Sequence, residues 1–350
     1  MWRNNGSDGI SMKPREYIVE QINHRETRPV PYSLHMSESV AEAMNRHYGN
    51  VEWRDRIEKF LDVIPIVGYH PAPVDVDERH FKDALGGVWR KDKNVNHQIS
   101  TPLKNPSLDE LVLPAPAELI TPKTLKSATE QCAQSKDRFC LGMIGAGTWE
   151  FFWHLRGYEH ALMDIAAEPT FADGLCKVIT EQIIACIDLI KNLPLDGLFL
   201  GDDWGGQNGV LLGPDSWRRY LKPSWKKIID AAHRINLPVF NHCCGSFAAV
   251  MPDIVEIGLD CIESVQPEAA GNDPYFFKNE YGRDITFWGG LGSQSIIPFG
   301  KPAELTSEIH RLVHEMGEGG GYILSPAKGL MPDTPVENAV AIFEAFVEQN

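Results

Sequence analysis

From residue 139 onward, short unbroken apolar runs alternate with longer segments in which apolar residues recur every three or four positions. The runs at 139–145 (FCLGMIG), 196–200 (DGLFL), 237–240 (LPVF), 260–265 (DCIESV), 285–288 (ITFW) and 321–324 (GYIL) have the length and β-branched or aromatic content of buried strands. Between and after them, residues 149–155, 169–192, 216–235, 247–257, 274–281, 302–316 and 334–347 carry helical spacing. In 169–192, Phe171, Leu175, Val178, Ile179, Ile183, Ile187 and Ile190 share one face. Pro335 suits the first turn of the closing helix, whereas Pro223 should kink or split the helix over 216–235. Six strand–helix units in succession imply a parallel sheet with helical crossovers. Upstream, 29–32 and 63–67 supply two further strands, and 86–90 (GGVWR) reads as a small hairpin insertion. The expected fold is α/β, a single (β/α)8 barrel, with an open doubly wound sheet as the rival. No Gly-x-Gly-x-x-Gly follows a strand and no P-loop is present, which weakens a nucleotide-binding version of that rival.

Length and composition narrow the picture. A chain of 350 residues, 43% hydrophobic and 23% charged, can bury one large core. Residues 12–350 are expected to form that single domain, with the polar stretch 1–11 as a flexible leader that lacks the apolar centre of a signal peptide. The formal net charge of −15 disfavours nucleic acid and anionic membrane surfaces as partners. No run is apolar enough to span a bilayer. Seven cysteines are an odd number and form no disulfide framework, which fits a reducing, cytoplasmic setting.

Catalytic groups of a parallel barrel gather on loops at the C-terminal strand ends. Polar residues fall there repeatedly: Glu150 after the run 139–145; Asp202, Asp203, Trp204 and Gln207 after DGLFL; His242, Cys243 and Cys244 after LPVF. Glu263 and Gln266, then Gln294, then Lys328 end the later units. Imidazole and thiolate are favoured zinc ligands, and in an extended segment His242 and Cys244 point the same way while Cys243 faces elsewhere. With only two such ligands, a carboxylate from Asp202, Asp203, Glu150 or Glu263 is needed to complete a site. Each residue also has a plainer role open to it. Asp202-Asp203 suits a helix N-cap with an adjacent first-turn acid, Glu150 a helix N-terminus, and Lys328 the surface. The tryptophans suit core or pocket walls.

These residues carry a resemblance. The segment Arg15-Glu16, then His24-Arg25-Glu26 and Pro29-Val30-Pro31, resembles the first helix and strand of the uroporphyrinogen decarboxylase superfamily. Gly319-Gly320-Gly321-Tyr322-Ile323-Leu324, followed by Asp333-Thr334-Pro335-Val336-Glu337-Asn338, is similar to its last unit. The resemblance implies a (β/α)8 barrel. True uroporphyrinogen decarboxylases carry an arginine-rich motif after the first strand, where this chain has Tyr32-Ser33-Leu34-His35-Met36-Ser37. A substrate with many carboxylates needs guanidinium groups there, so porphyrinogen decarboxylation is not expected.

His242-x-Cys244 instead resembles the zinc motif of the corrinoid-dependent methyltransferase branch, whose third ligand is a later cysteine. Lys328 stands at that place. The resemblance then implies a zinc-assisted methyltransferase. It would exchange a methyl group between a small O-, N- or S-methyl compound and a separate corrinoid protein carrying cobalamin, since no Asp-x-His-x-x-Gly corrinoid segment occurs in this chain. In this reading His242, Cys244 and Glu263 bind the metal, and Asp202, Asp203, Glu150 and Lys328 are catalytic. Gln207, Trp204, Gln266 and Gln294 hold substrate. The rival functions are a metal-free decarboxylase or lyase of a smaller acid, and a non-catalytic barrel that binds a corrinoid or porphyrin.

Overall fold

The computed structural model describes residues 12–57, 59–92 and 96–349, so the expected leader 1–11 lies outside the described residues. Seven parallel strands form one sheet: β1 (Leu61–Val67), β2 (Phe139–Ala146), β3 (Gly197–Gly201), β4 (Val239–His242), β5 (Cys261–Val265), β6 (Thr286–Leu291) and β7 (Tyr322–Pro326). They are hydrogen-bonded in chain order, with helical crossovers between most of them. This is the expected barrel, but its first strand is rudimentary. Instead of a strand over 29–32 there is one parallel bridge, Tyr32 to Leu324, in which the Ser33 N–H donates to the Leu324 carbonyl at 3.0 Å. Pro29 and Pro31 have no N–H to extend a ladder. Among the described residues no ladder joins this segment to β1, and a cavity of about 410 Å³ lined by Tyr32, Ser33, Leu61 and Val63 occupies the seam.

The barrel interior is packed with rings. Phe240 on β4 lies 5.8 Å from Phe139 and 6.2 Å from Trp288, and Phe199 lies 6.1 Å from Trp288, centroid to centroid. Burial of a side chain of this size stabilises by roughly 1.5–3 kcal/mol. Two residues beyond Phe240, His242 keeps the same facing and comes one layer nearer the C-terminal rim.

Four elements depart from the pattern-based expectation. The hairpin expected at 86–90 is part of a four-stranded antiparallel sheet, Val74–Asp75, His80–Lys82, Val88–Arg90 and His97–Ser100. The helix over 216–235 is not split at Pro223. It runs from Pro214 to His233 with a widened turn over Trp217–Leu221, which absorbs the missing proline N–H. β4 begins at Val239 rather than Leu237, so His242 is its last residue. β6 continues three residues past Trp288 because Gly289 and Gly290 take positive φ beside β5, where a Cβ on Gly289 would lie 2.7 Å from the Val265 nitrogen.

Candidate metal centre

Register brings the first pair together. His242 is the cross-strand partner of Gly201 on β3 and of Glu263 on β5. Paired residues of parallel strands face the same side, and the Glu263 carboxylate bonds Nδ1 of His242. A bulge follows directly on β5, where Ser264 holds φ at 75° and its hydroxyl bonds the Ala327 carbonyl. A non-glycine residue in this conformation is strained, and such strain collects at functional sites.

Two residues further on, the chain returns to the same side. Cys244 Sγ lies 3.2 Å from Nε2 of His242, the nitrogen that Glu263 does not occupy. Cys243 turns inward, fully buried, and its sulfur accepts the Trp204 N–H at 3.3 Å. Gly245 then takes φ of 74°, and a Cβ there would lie 2.6 Å from the Gly205 carbonyl. A Cβ on Gly205 would in turn lie 2.5 Å from the Gly245 carbonyl carbon. The loops after β3 and β4 therefore meet backbone to backbone, and only glycine permits it. That contact delivers Asp203, whose Oδ1 accepts the Cys244 N–H at 2.7 Å and lies 3.7 Å from His242 Nε2.

Asp203, His242 and Cys244 thus offer O, N and S donors within 4.8 Å of one another. Zinc–ligand bonds of about 2.0–2.3 Å at tetrahedral angles put donors roughly 3.3–3.8 Å apart, close to the 3.2 Å and 3.7 Å that separate His242 Nε2 from Cys244 and Asp203. Glu263 has a different place from the ligand role expected for it. It holds the far nitrogen of the imidazole, as carboxylates behind metal-binding histidines do. Burial disfavours charge on His242, but Glu263 and Cys244 outweigh that and hold its pKa well above the usual histidine value. A metal at Nε2 competes with that proton.

Asp202 has no access to the cavity, a correction to its expected catalytic place. It is fully buried and accepts from the backbone N–H groups of Trp149 (3.2 Å) and Glu150 (2.7 Å) and from the indoles of Trp204 (2.8 Å) and Trp225 (2.7 Å). It caps the helix Thr148–Arg156, whose own N-cap, Gly147, has no side chain. The capping role open to it in the sequence is real, though the helix it serves is a distant one. Burial raises its pKa to about 6 despite these donors. Trp204 likewise packs away from the cavity, 5.2 Å from Trp217 and 5.0 Å from Trp225. It is a wall of the Asp202 pocket, not a substrate contact. Glu150 is largely buried beside Asp202 and Asp203; burial and then their charge raise its pKa to about 8.

Beyond Cys244 opens a cavity of about 600 Å³, lined by Gln207, Gln266, Gln294 and Lys328 together with Ile297, Phe299 and Met331. Four of the sequence-expected residues thus converge with Cys244. A second cavity of about 220 Å³ inside the barrel is lined by Glu263, Phe199, Trp288, His35 and Ser33. Tyr69, missed in the sequence, stands at the end of β1, and a Cβ on Gly201 would strike its hydroxyl. Burial, reinforced by Glu150 and Asp203, pushes its pKa well up. The strand-end rule applied to Val67-Gly68-Tyr69 would have found it.

A (β/α)8 barrel with an O, N, S donor set on its C-terminal rim defines the class of this molecule. The uroporphyrinogen decarboxylase (URO-D) family model matches residues 84–349, and the chain belongs to that family. Similar proteins include a methylated-thiol–coenzyme M methyltransferase of Methanosarcina mazei, 23% identical over 56% of this chain and 49% of the relative. A uroporphyrinogen decarboxylase of Geotalea daltonii is 25% identical over 51% and 49%. The methylcobamide:CoM methyltransferase MtaA of Methanosarcina barkeri is 24% identical over 48% and 46%. The matches span about half the length of these relatives. A solved methyltransferase structure from Methanosarcina mazei shares the fold, with a TM-score of 0.72 over 97% of this chain and 99% of that one at 18% identity. Among the described residues no helix is long and apolar enough to cross a membrane.

Proposed function

We propose that this chain is a methyltransferase that moves a methyl group between a small O-, N- or S-methylated compound and a separate corrinoid protein, in the reducing cytoplasm that suits its unpaired cysteines. The observation that carries the reading is the Asp203, His242, Cys244 donor set with Glu263 behind the imidazole. The names of two relatives, a methylated-thiol–coenzyme M methyltransferase and a methylcobamide:CoM methyltransferase, support the same reaction type.

Zinc held by these three residues would supply Lewis acidity, making a thiol more nucleophilic or an ether or thioether heteroatom a better leaving group. Glu263 accepts a hydrogen bond from the Nδ1–H of His242, which leaves Nε2 as the nitrogen that would bind the ion. Asp203 fills the ligand place left by the cysteine that Lys328 replaces. Its anchor on the Cys244 N–H fixes both donors in one geometry. In the metal-free protein Glu150, raised to about 8 by burial and by the neighbouring Asp202 and Asp203, holds a proton beside Asp203 near neutral pH. Substrate takes the cavity beyond Cys244.

The test is methyl exchange with free cobalamin in place of the corrinoid protein. Zinc-loaded chain is mixed with methylcobalamin and a panel of small thiols, and with reduced cobalamin and methyl thioethers, methoxyarenes and methylamines. Spectral conversion in at least one arm, lost on chelation, is expected. No conversion in any arm, or enzymatic release of carbon dioxide from uroporphyrinogen, contradicts the reading.

A further inference from the structure

The cavity of about 220 Å³ inside the barrel is walled largely by ring surface. The strand register explains why. Trp288 on β6 is the cross-strand partner of Glu263, so the indole and the carboxylate lie side by side in one layer. Phe199 on β3 is the partner of Phe240, two residues before His242, and faces the same side one layer lower. The rings of Phe199 and Trp288 stand 6.1 Å apart at 50°, an open angle rather than a stack. Trp288 gives its indole N–H to Ser33 Oγ at 3.0 Å, so what remains for the cavity is ring surface. Val63 and Pro326 add further apolar wall.

The ionisable groups that line this cavity are Glu263 and the exposed His35, with no lysine or arginine among them. Lys328, the neighbour of Gly329, is exposed and lines the outer cavity instead. One oxygen of Glu263 bonds His242 Nδ1, and among the described residues the other has no hydrogen-bond partner. The charge of a zinc ion is matched by Asp203 and the thiolate of Cys244, so the carboxylate of Glu263 stays uncancelled in the loaded protein. A carboxylate beside two ring faces attracts a cation, through its own charge and through the ring quadrupoles. The wall also restricts which cation. A primary ammonium has three N–H groups to satisfy, yet Ser33 is engaged by Trp288, and Ser325 donates to the Pro326 carbonyl at 2.8 Å. A fully alkylated ammonium has no N–H to satisfy, and its methyl groups suit apolar walls. At about 30 Å³ for each water-sized group, the cavity has room for roughly seven of them.

We infer that this inner cavity binds the fully alkylated ammonium head of a small compound, against the faces of Trp288 and Phe199 and beside the carboxylate of Glu263. Gly329 lines both cavities, so the two meet at the loop after β7, and the rest of such a compound extends into the outer one. That the compound is the methylated substrate rests on the methyl-transfer reading; the cation preference stands on the cavity itself.

Calorimetric titration of the zinc-loaded protein with choline, its neutral isostere 3,3-dimethylbutan-1-ol and the primary amine ethanolamine tests it. A pH of 8 keeps ordinary imidazoles uncharged. Choline should bind about 5- to 30-fold tighter than the isostere, and ethanolamine more weakly than choline. Trp288→Leu should bring choline close to the isostere while zinc content stays unchanged, and Trp288→Phe should keep part of the preference. Phe199→Leu, a milder change of volume, should lower the preference independently. Choline preferred by the wild type with no methyl exchange in any arm overturns the methyl-transfer reading alone. Methyl exchange without a choline preference overturns the inference alone. Equal binding of choline and isostere, no binding of either, ethanolamine matching choline, or a preference unchanged in both Trp288→Leu and Phe199→Leu likewise overturns the inference.

Discussion

Asp202→Ala separates structure from chemistry at this rim. The substitution removes the acceptor of four buried N–H groups, two at the start of the helix Thr148–Arg156 and two indoles. An unsatisfied buried donor costs about 1–3 kcal/mol, so four together cost on the order of 4–8 kcal/mol once some rehydration is allowed. Against this stands a gain. The pKa of Asp202 is raised to about 6 from an ordinary 3.8, so the ionised carboxylate penalises the fold by about 3 kcal/mol at neutral pH, and alanine escapes that penalty. The net loss expected near pH 7.5 is about 1–5 kcal/mol.

The sign of its pH dependence follows from the same numbers. A carboxyl whose folded pKa is raised contributes stability at low pH that is lost as pH rises through the folded value. The wild type therefore gains relative stability on going down toward pH 5, and the deficit of the variant should be larger at pH 5 than at pH 7.5 by about 1–2 kcal/mol. Urea unfolding at both pH values, followed by the emission of the tryptophans around Asp202, measures both quantities. An unchanged unfolding midpoint with methyl transfer abolished would mean that Asp202 acts on the substrate, and the structural role argued for it would be wrong.

Three further outcomes are expected. Glu150→Gln should stabilise the metal-free protein increasingly as pH rises from about 4.5 to about 8, because the wild type must ionise a buried carboxyl beside Asp202 and Asp203; thermal melts should show a small difference at pH 5 and a much larger one at pH 8. Glu263→Gln should weaken zinc binding by about 10- to 100-fold with little change in melting temperature of the metal-free form, read by competition with a chromogenic chelator. Gly245→Ala should separate the loops after β3 and β4 and reduce zinc content, since its Cβ would collide with the Gly205 carbonyl and its φ of 74° disfavours alanine; retention of full zinc content would show that the backbone contact does not set the site.

The parallel sheet was legible in the sequence because strands buried on both faces are continuous apolar runs, and those runs from 139 onward lie at the strands observed. The first strand was not, because Pro29 and Pro31 interrupt the ladder that an apolar run alone suggests. Placing polar residues at strand ends brought Cys244, Gln207, Gln266, Gln294 and Lys328 to one cavity. It could not tell Asp202 from Asp203, which are adjacent in sequence. Alternation turns one to the helix N-terminus and the other to Cys244, and that depends on where β3 ends. Glu263 was recognisable as a partner of the site, but its role as a support rather than a ligand depends on the β4–β5 register, which fixes it against Nδ1 of His242.

The proposed chemistry depends on one metal ion held by Asp203, His242 and Cys244. Elemental analysis together with zinc-edge X-ray absorption of the purified protein, its Cys244→Ser variant and its Cys243→Ser variant tests it most directly. The wild type should hold about one zinc per chain, with one sulfur at about 2.3 Å and nitrogen or oxygen neighbours at about 2.0–2.1 Å. Zinc should be lost in Cys244→Ser and retained in Cys243→Ser, whose sulfur is turned into the core. A wild type that takes up no zinc, or zinc that follows Cys243 instead of Cys244, would contradict it.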